Sequence, residues 1–354
     1  MKTVRWLALV LLFPWLLPMA RAGGPFGEAR LNRVNRRLHG QLLDFTRNHG
    51  ADRRIWSEAL HQRRDLYVYL PPGFDPNQLY PLVIWLHGFA QDETSFRDDV
   101  VEHLDAAMVT GKLPAAIIAC PDGSIDGHAC IRNPGSFFIN TRAGRFEDFV
   151  MHDVWNFVVT NFPIRPEREA HVLAGASMGG GAAYNLAIKY RDRVKVVCGI
   201  FPPLNTRWID CHGRYRGNFR PDCWDWQTEI RRWQIVGRFY GVVLVRVKHI
   251  VDPLYDRKDD ILSAIIQENP AEMLDAYDLK PGELDMYIGY GGRDEFNIDA
   301  QVESFLFLAR ERGLCIAVGY DPKGRHNLAT ALRLMPDLFE WLSPLLAPYS
   351  PSCP

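Results

Sequence analysis

Several signatures are missing from this chain, and each absence narrows what it can be. Lysine plus arginine (41) nearly balance aspartate plus glutamate (42), leaving a formal charge of −1. A dedicated nucleic-acid binder would carry a basic excess, so that class is set aside. There is no C-x-x-C and no H-E-x-x-H, which leaves metal chemistry without a motif. No internal repeat or long low-complexity tract is visible. No apolar run reaches the roughly 20 residues of a comfortable membrane span. What remains is an ordinary globular composition, 47% hydrophobic and 23% charged over 354 residues. That is ample for one large α/β domain with insertions, or for two smaller ones.

The first residues read as an export signal. Lys2 and Arg5 precede the apolar "WLALVLLFPWLLPMA", and Ala20-Arg21-Ala22 supplies a small-x-small cleavage pattern. Cleavage is expected after Ala22, so residues 1–22 are the signal and 23–354 the mature domain, secreted or periplasmic. No stable membrane insertion is expected after cleavage; the alternative is an uncleaved anchor from Trp6 to Met19. Export permits disulfides. Of seven cysteines, Cys211 and Cys223 flank a polar, turn-rich stretch and are the preferred pair, with Cys120 and Cys130 next. Cys198 and Cys315 lie in apolar strand-like runs and are expected to be buried thiols.

Short apolar runs alternate with helical patterns. "RDLYVYLPPGF" (64–74), "YPLVIWLHG" (80–88), "PAAIIACPDG" (114–123), "EAHVLAGA" (169–176), "VKVVCGIF" (194–201), "LDMYIGYGG" (284–292) and "CIAVGY" (315–320) read as strands. Helical spacing appears in 96–112, 146–163, 178–190 and 329–346, the last tolerating Pro336 as a kink. Such alternation predicts a mostly parallel, doubly wound sheet covered on both faces, with ligand sites at the carboxyl ends of the strands. One stretch breaks the rhythm. From Asn205 to about Asp260 the chain is aromatic and arginine-rich, holding Trp208, Trp224, Trp226 and Trp233. An insertion of that length is either a lid that contacts substrate or a stapled excursion with its own aromatic core. Trp208, Trp224 and Trp226 are carried as candidate substrate contacts.

The chemistry concentrates at "VLAGASMGGG". Gly175-Ala176-Ser177-Met178-Gly179 fits G-x-S-x-G between a strand and a helix, the setting of a nucleophile lifted above a sheet edge. A serine needs a base to take its proton and a carboxylate to orient that base. In a strand–elbow–helix architecture of this kind the chain order is serine, acid, histidine. Only His212, His249 and His326 follow Ser177. His326 alone follows a late core strand and precedes the closing helix. The acid should follow "LDMYIGY", where "GGRDEFN" offers Asp294, with Glu295 as fallback and Asp299 a turn later. Oxyanion donors are expected at the N–H of Met178 and at the N–H of Phe89 in "LHGFAQDE"; His87 is assigned to holding that turn.

These segments, together with "VYLPPGFDP", "FEDFVMHDVWNFV" and "RHN", resemble the putative esterase family of α/β-hydrolases. That group includes S-formylglutathione hydrolases, feruloyl and acetyl-xylan esterases, and secreted mycolyltransferases of the antigen 85 type. The resemblance spans roughly residues 65 to 345. It implies a Ser177–Asp294–His326 triad and oxyanion donors at Phe89 and Met178. That chemistry requires no cofactor, and the tryptophans of the insertion, which stack on aromatic rings and sugar faces, suggest a small-molecule or carbohydrate-linked ester. Two alternatives keep the same residues: an acyltransferase, and a non-catalytic binding protein on a hydrolase scaffold.

Overall fold

The computed structural model describes residues 25–130, 132–239 and 243–351. The expected signal, residues 1–22, lies outside them. Among the described residues no helix is long and apolar enough to cross a membrane.

The core is one eight-stranded sheet. In chain order its strands are β1 (Gln41–Phe45), β2 (Leu66–Leu70), β3 (Leu82–Leu86), β4 (Ile117–Pro121), β5 (His171–Ala176), β6 (Val196–Ile200), β7 (Asp285–Gly291) and β8 (Ile316–Asp321). They lie side by side as β1-β2-β4-β3-β5-β6-β7-β8. Only β2 runs against the rest. The side chains of β2, β3, β4 and β6 are buried on both faces, which is why these strands read as unbroken apolar runs rather than alternating ones. From β3 the chain crosses to one side to make β4 and returns on the other to make β5. That reversal opens a crevice at the carboxyl ends of β3 and β5, where a doubly wound sheet places its ligands.

Helices α1 (Val101–Val109), α2 (Met178–Lys189), α3 (Ile298–Glu311) and α4 (Leu328–Leu346) cover the faces, with α2 packed on β5 and β6 and α4 on β7 and β8. Two expected helices are less regular than their spacing suggested. Phe96–Val100 and Phe149–Val154 take wide π-type turns before α-helix resumes. In the second, Phe149, Val150, Met151 and Val154 are all fully buried. That set is broader than one stripe of a regular helix, and the wider turn lets it face inward together. The edge strand β1 had no sequence expectation, because "QLLDF" is short and interrupted by Asp44.

The cysteines correct two expectations. Cys211–Cys223 is a disulfide. Cys120, however, is a buried free thiol inside β4, and Cys130 is also unpaired, because a core-facing strand residue cannot reach a surface loop. Cys198 is buried, and burial pushes its thiol pKa up. Cys315 is exposed, because the strand it precedes, β8, is a sheet edge.

Between β6 and β7 the chain makes its longest excursion. It forms a hairpin (Trp208–Asp210 with Trp224–Trp226), a second hairpin (Ile235–Phe239 with Val243–Arg246), and the helices Val247–Leu254 and Ile261–Glu268. It then rejoins the core through Pro270–Ala276, where Met273 and Leu274 are fully buried and the Ala271 N–H donates to Leu204 O.

The turn from β5 into α2 passes β3 at backbone distance. A Cβ on Gly175 would sit 2.5 Å from the Gly179 carbonyl carbon, and one on Gly179 would collide with the carbonyl oxygens of Leu86 and His87. These are backbone obstacles that cannot rotate away. Gly179→Ala is therefore expected to lower the unfolding free energy by about 3 kcal/mol or to prevent folding. Urea denaturation measures this; a cost under about 1 kcal/mol would mean that the strand and turn can separate freely.

Candidate active site

Ser177 sits between the last residue of β5 and the first of α2, with φ 55° and ψ −121°. A non-glycine residue at positive φ costs about 1–3 kcal/mol and persists only where its surroundings dictate it. Here the Ser177 N–H donates to Ile200 O (2.7 Å) and the Gly181 N–H donates to Ser177 O (3.0 Å). The serine is thus held by both the neighbouring strand and its own helix. Met178, as the first helical residue, has an N–H with no partner within the helix turn.

The loop after β7 carries the expected acid and the loop after β8 the expected base. The Ser177 hydroxyl donates to His326 Nε2 (2.8 Å), and His326 Nδ1–H donates to Asp294 Oδ2 (2.8 Å). The Phe296 N–H occupies Asp294 Oδ1 (2.7 Å), so only Oδ2 is left to face the ring. The Asp294 carboxylate is fully shielded, while the imidazole keeps 11% of its surface in solvent. Glu295, the fallback acid, points elsewhere: its Oε2 accepts the His326 backbone N–H and its Oε1 the Arg325 guanidinium. Asp299 does not reach the ring either. Burial first, and then the Asp294 charge, push its pKa up to about 6.

Two groups on this site carried no sequence signal. Phe201 and Phe296 pack against the imidazole with centroids 5.0 and 4.8 Å away, fixing its plane. Phe201 itself holds φ 51°. The second group is the disulfide loop of the excursion, which is fastened to the acid loop. The Tyr215 hydroxyl donates to Phe296 O (2.7 Å) and accepts from Gln301 Nε2 (2.9 Å). Asn297 Nδ2 donates to Tyr215 O, and Arg216 donates to Glu295 O. Aromatic and amide residues inside an irregular insertion give no periodicity from which such contacts could be read.

The loop after β3 carries the other expected oxyanion donor, Phe89. His87 anchors this loop from below. Its Nε2 accepts the Gly123 N–H (2.8 Å), which leaves Nδ1 protonated to donate to Gly88 O (3.0 Å). Burial lowers its pKa, in keeping with that neutral form. The Ala90 N–H donates to Pro134 O, and Gly135 leaves room only for the Met178 side chain. The segment around residues 133–138 therefore packs over both expected oxyanion residues.

Of the two alternatives for the insertion, the candidate tryptophans take the one with its own aromatic core. Trp208 is fully buried. Trp224 and Trp226 are half-buried against each other (5.2 Å), with Phe219 and Arg207 closing the cluster. They form the excursion's own core, which removes Trp208 from any direct contact with a ligand. Trp233 is the exposed one.

The architecture and this geometry meet known proteins at several points. A family model described as Putative esterase matches residues 57–320. The chain belongs to that family. Esterase Rv1288 of Mycobacterium tuberculosis is 31% identical over 157 residues, covering 42% of this chain and 32% of that protein. Endo-1,4-beta-xylanase Y of Acetivibrio thermocellus is 28% identical over 152 residues, covering 42% of this chain and 13% of that protein. The match thus spans about a third or less of these curated relatives' length. Among solved structures, a ferulic acid esterase superposes with a TM-score of 0.63 at 15% identity, covering 87% of this chain and 99% of that one. An S-formylglutathione hydrolase from Agrobacterium tumefaciens gives 0.61 at 14% identity, over 87% and 96%. At such identities the likeness is one of fold: the α/β-hydrolase architecture.

If Asp294 alone orients the ring, Asp294→Asn should slow covalent labelling of Ser177 by a fluorophosphonate by about 10³-fold or more, because an amide selects the wrong imidazole tautomer. Glu295→Gln should slow it less than about tenfold. Intact-mass kinetics of labelling reads both; the reverse ranking would make Glu295 the acid.

Proposed function

We propose that this protein is a serine esterase that cleaves carboxylic esters through an acyl-enzyme. The observation that carries the reading is the unbroken hydrogen-bond chain from Ser177 through His326 to Asp294, at the sheet edge where a ligand crevice opens. Ser177 Oγ attacks the acyl carbon as His326 Nε2 takes its proton. Asp294 stabilises the imidazolium that results. The tetrahedral oxyanion accepts from the N–H groups of Met178 and Phe89, each contributing on the order of 10²–10³ in rate, with the amino end of α2 adding a favourable field. His326 then protonates the leaving alcohol, activates water, and returns its proton to Ser177 as the acid departs. These steps need no cofactor.

The substrate class is proposed from kinship: the family and the feruloyl and formyl-glutathione esterases that share the fold favour a small-molecule or carbohydrate-linked ester, with feruloyl and acetyl esters first. Export is proposed from the amino-terminal pattern, and the Cys211–Cys223 bond is compatible with an oxidising compartment.

Ser177→Ala should reduce kcat on 4-nitrophenyl acetate by at least about 10³-fold while the protein stays folded. Steady-state kinetics with a circular-dichroism check measures this. Activity within tenfold of the parent would place the nucleophile elsewhere.

A further inference from the structure

Beside the catalytic crevice lies a second concave surface that the esterase chemistry does not use. One wall is the loop after β4, at Arg132 and Asn133, with Arg142 beyond it; the other is the excursion helix Val247–Leu254. A cavity of about 740 Å³ lies between them and adjoins another of about 600 Å³ through the shared Lys248 and Asp252. The far end is lined by Arg232, Trp233 and Arg257. The groove starts close to the reaction centre. Asn133 precedes Pro134, whose carbonyl holds Ala90, and Gly135, which packs on Met178.

The groove's composition is mixed in an informative way. Five cationic side chains (Arg132, Arg142, Arg232, Lys248 and Arg257) meet two carboxylates, Asp252 and Asp256. Arg142 pairs with Asp256 at 2.9 Å and also donates to Asp252 O, and Arg232 pairs with Asp252. The formal excess is three positive charges. His249 adds none near neutrality, because burial and its cationic neighbours lower its pKa. Trp233 is 67% exposed yet fixed in place, with Lys248 Nζ 3.9 Å from its ring centroid and Arg246 at 5.4 Å. Such cation–π contacts favour keeping the indole at the surface beside the two cations.

Each feature constrains the occupant. A neutral sugar chain has no use for three surplus cations. A bare anion has no use for two carboxylates and an exposed indole. A ring bearing both hydroxyls and an acid group uses all three: cations for the acid, carboxylates for hydroxyl donors, and the indole face for the apolar side of the ring. The two joined cavities also exceed the size of one ring. We propose that this groove is a subsite for an acidic carbohydrate, a sugar chain carrying carboxylate or sulfate groups, which positions its ester at Ser177. The link to Ser177 rests on the esterase reading above; the binding itself does not.

Calorimetric titration of the Ser177→Ala protein separates the two. The probes are an oligogalacturonate, a sulfated galactan oligomer and a neutral xylo-oligomer. At least one acidic oligomer should bind tenfold or more tighter than the neutral one, with affinity falling steeply between about 50 and 500 mM salt. Whichever acid binds tighter identifies the anion. Lys248→Glu and Arg132→Glu, each checked by circular dichroism, should weaken that binding at least tenfold, whereas Lys248→Arg should retain most of it. Equal affinity for acidic and neutral oligomers, no binding of either, or full affinity in a folded Lys248→Glu protein would overturn the inference. Acidic binding in a parent protein whose Ser177 resists fluorophosphonate would uphold the groove and remove the esterase reading. Labelling without any acidic preference would do the opposite.

Discussion

The structure depends on one close approach: the turn between β5 and α2 crosses β3 with no space for side chains at Gly175 or Gly179. That contact forces Ser177 into its strained conformation, and the bond from its N–H to Ile200 O secures it there. The strain is useful because it is rigid. A hydroxyl on a relaxed turn would sample many directions, whereas this one is aimed along a single line toward the carboxyl edge of the sheet. The same contact sets the spacing between Met178 and the loop after β3, so the proposed nucleophile and the expected oxyanion donors share one support.

The proposed base and acid, His326 and Asp294, are held by different means. They sit on loops, which would by themselves be loose, and the protein restrains them from three sides. The aromatic rings of Phe201 and Phe296 fix the imidazole plane. The Phe296 backbone amide fixes the carboxylate rotamer, leaving one oxygen for the ring. Tyr215 and Arg216, brought in by the disulfide-closed loop, fasten the acid loop from outside. The excursion therefore has a buttressing part and a groove-forming part. Its first hairpin is a small aromatic core tied to the loop after β7, and its second half carries the exposed Trp233 and the cationic wall. A uniform mobile lid would have neither property.

Much of this was legible in residues alone. Seven of the eight sheet strands announce themselves as apolar runs; the inner ones do so because strands buried on both faces must be apolar at nearly every position, whereas β8 is an apolar edge strand. G-x-S-x-G is readable because backbone collision tolerates only glycine at two fixed offsets. His326 and the Asp294-Glu295 pair follow from chain order, since each must leave the end of a late strand. Other features left no trace. β1 is too short to show a period, and the pairing of Cys120 with Cys130 fails because burial is not visible in spacing. Trp208, Trp224 and Trp226 look identical to Trp233 as letters, yet three turn inward and one outward.

The sequence by itself determined the sheet, the elbow, Ser177 and His326, and narrowed the carboxylate to a short loop, because each rests on a local rule of polarity, sterics or order. The tertiary structure alone decided which carboxylate of the Asp294-Glu295 pair faces the ring, which rings clamp His326, and where the surplus cations of the excursion gather. Those outcomes depend on contacts between residues tens to hundreds of positions apart. Such contacts are set by how the whole chain closes on itself, and no short stretch of the polypeptide encodes them.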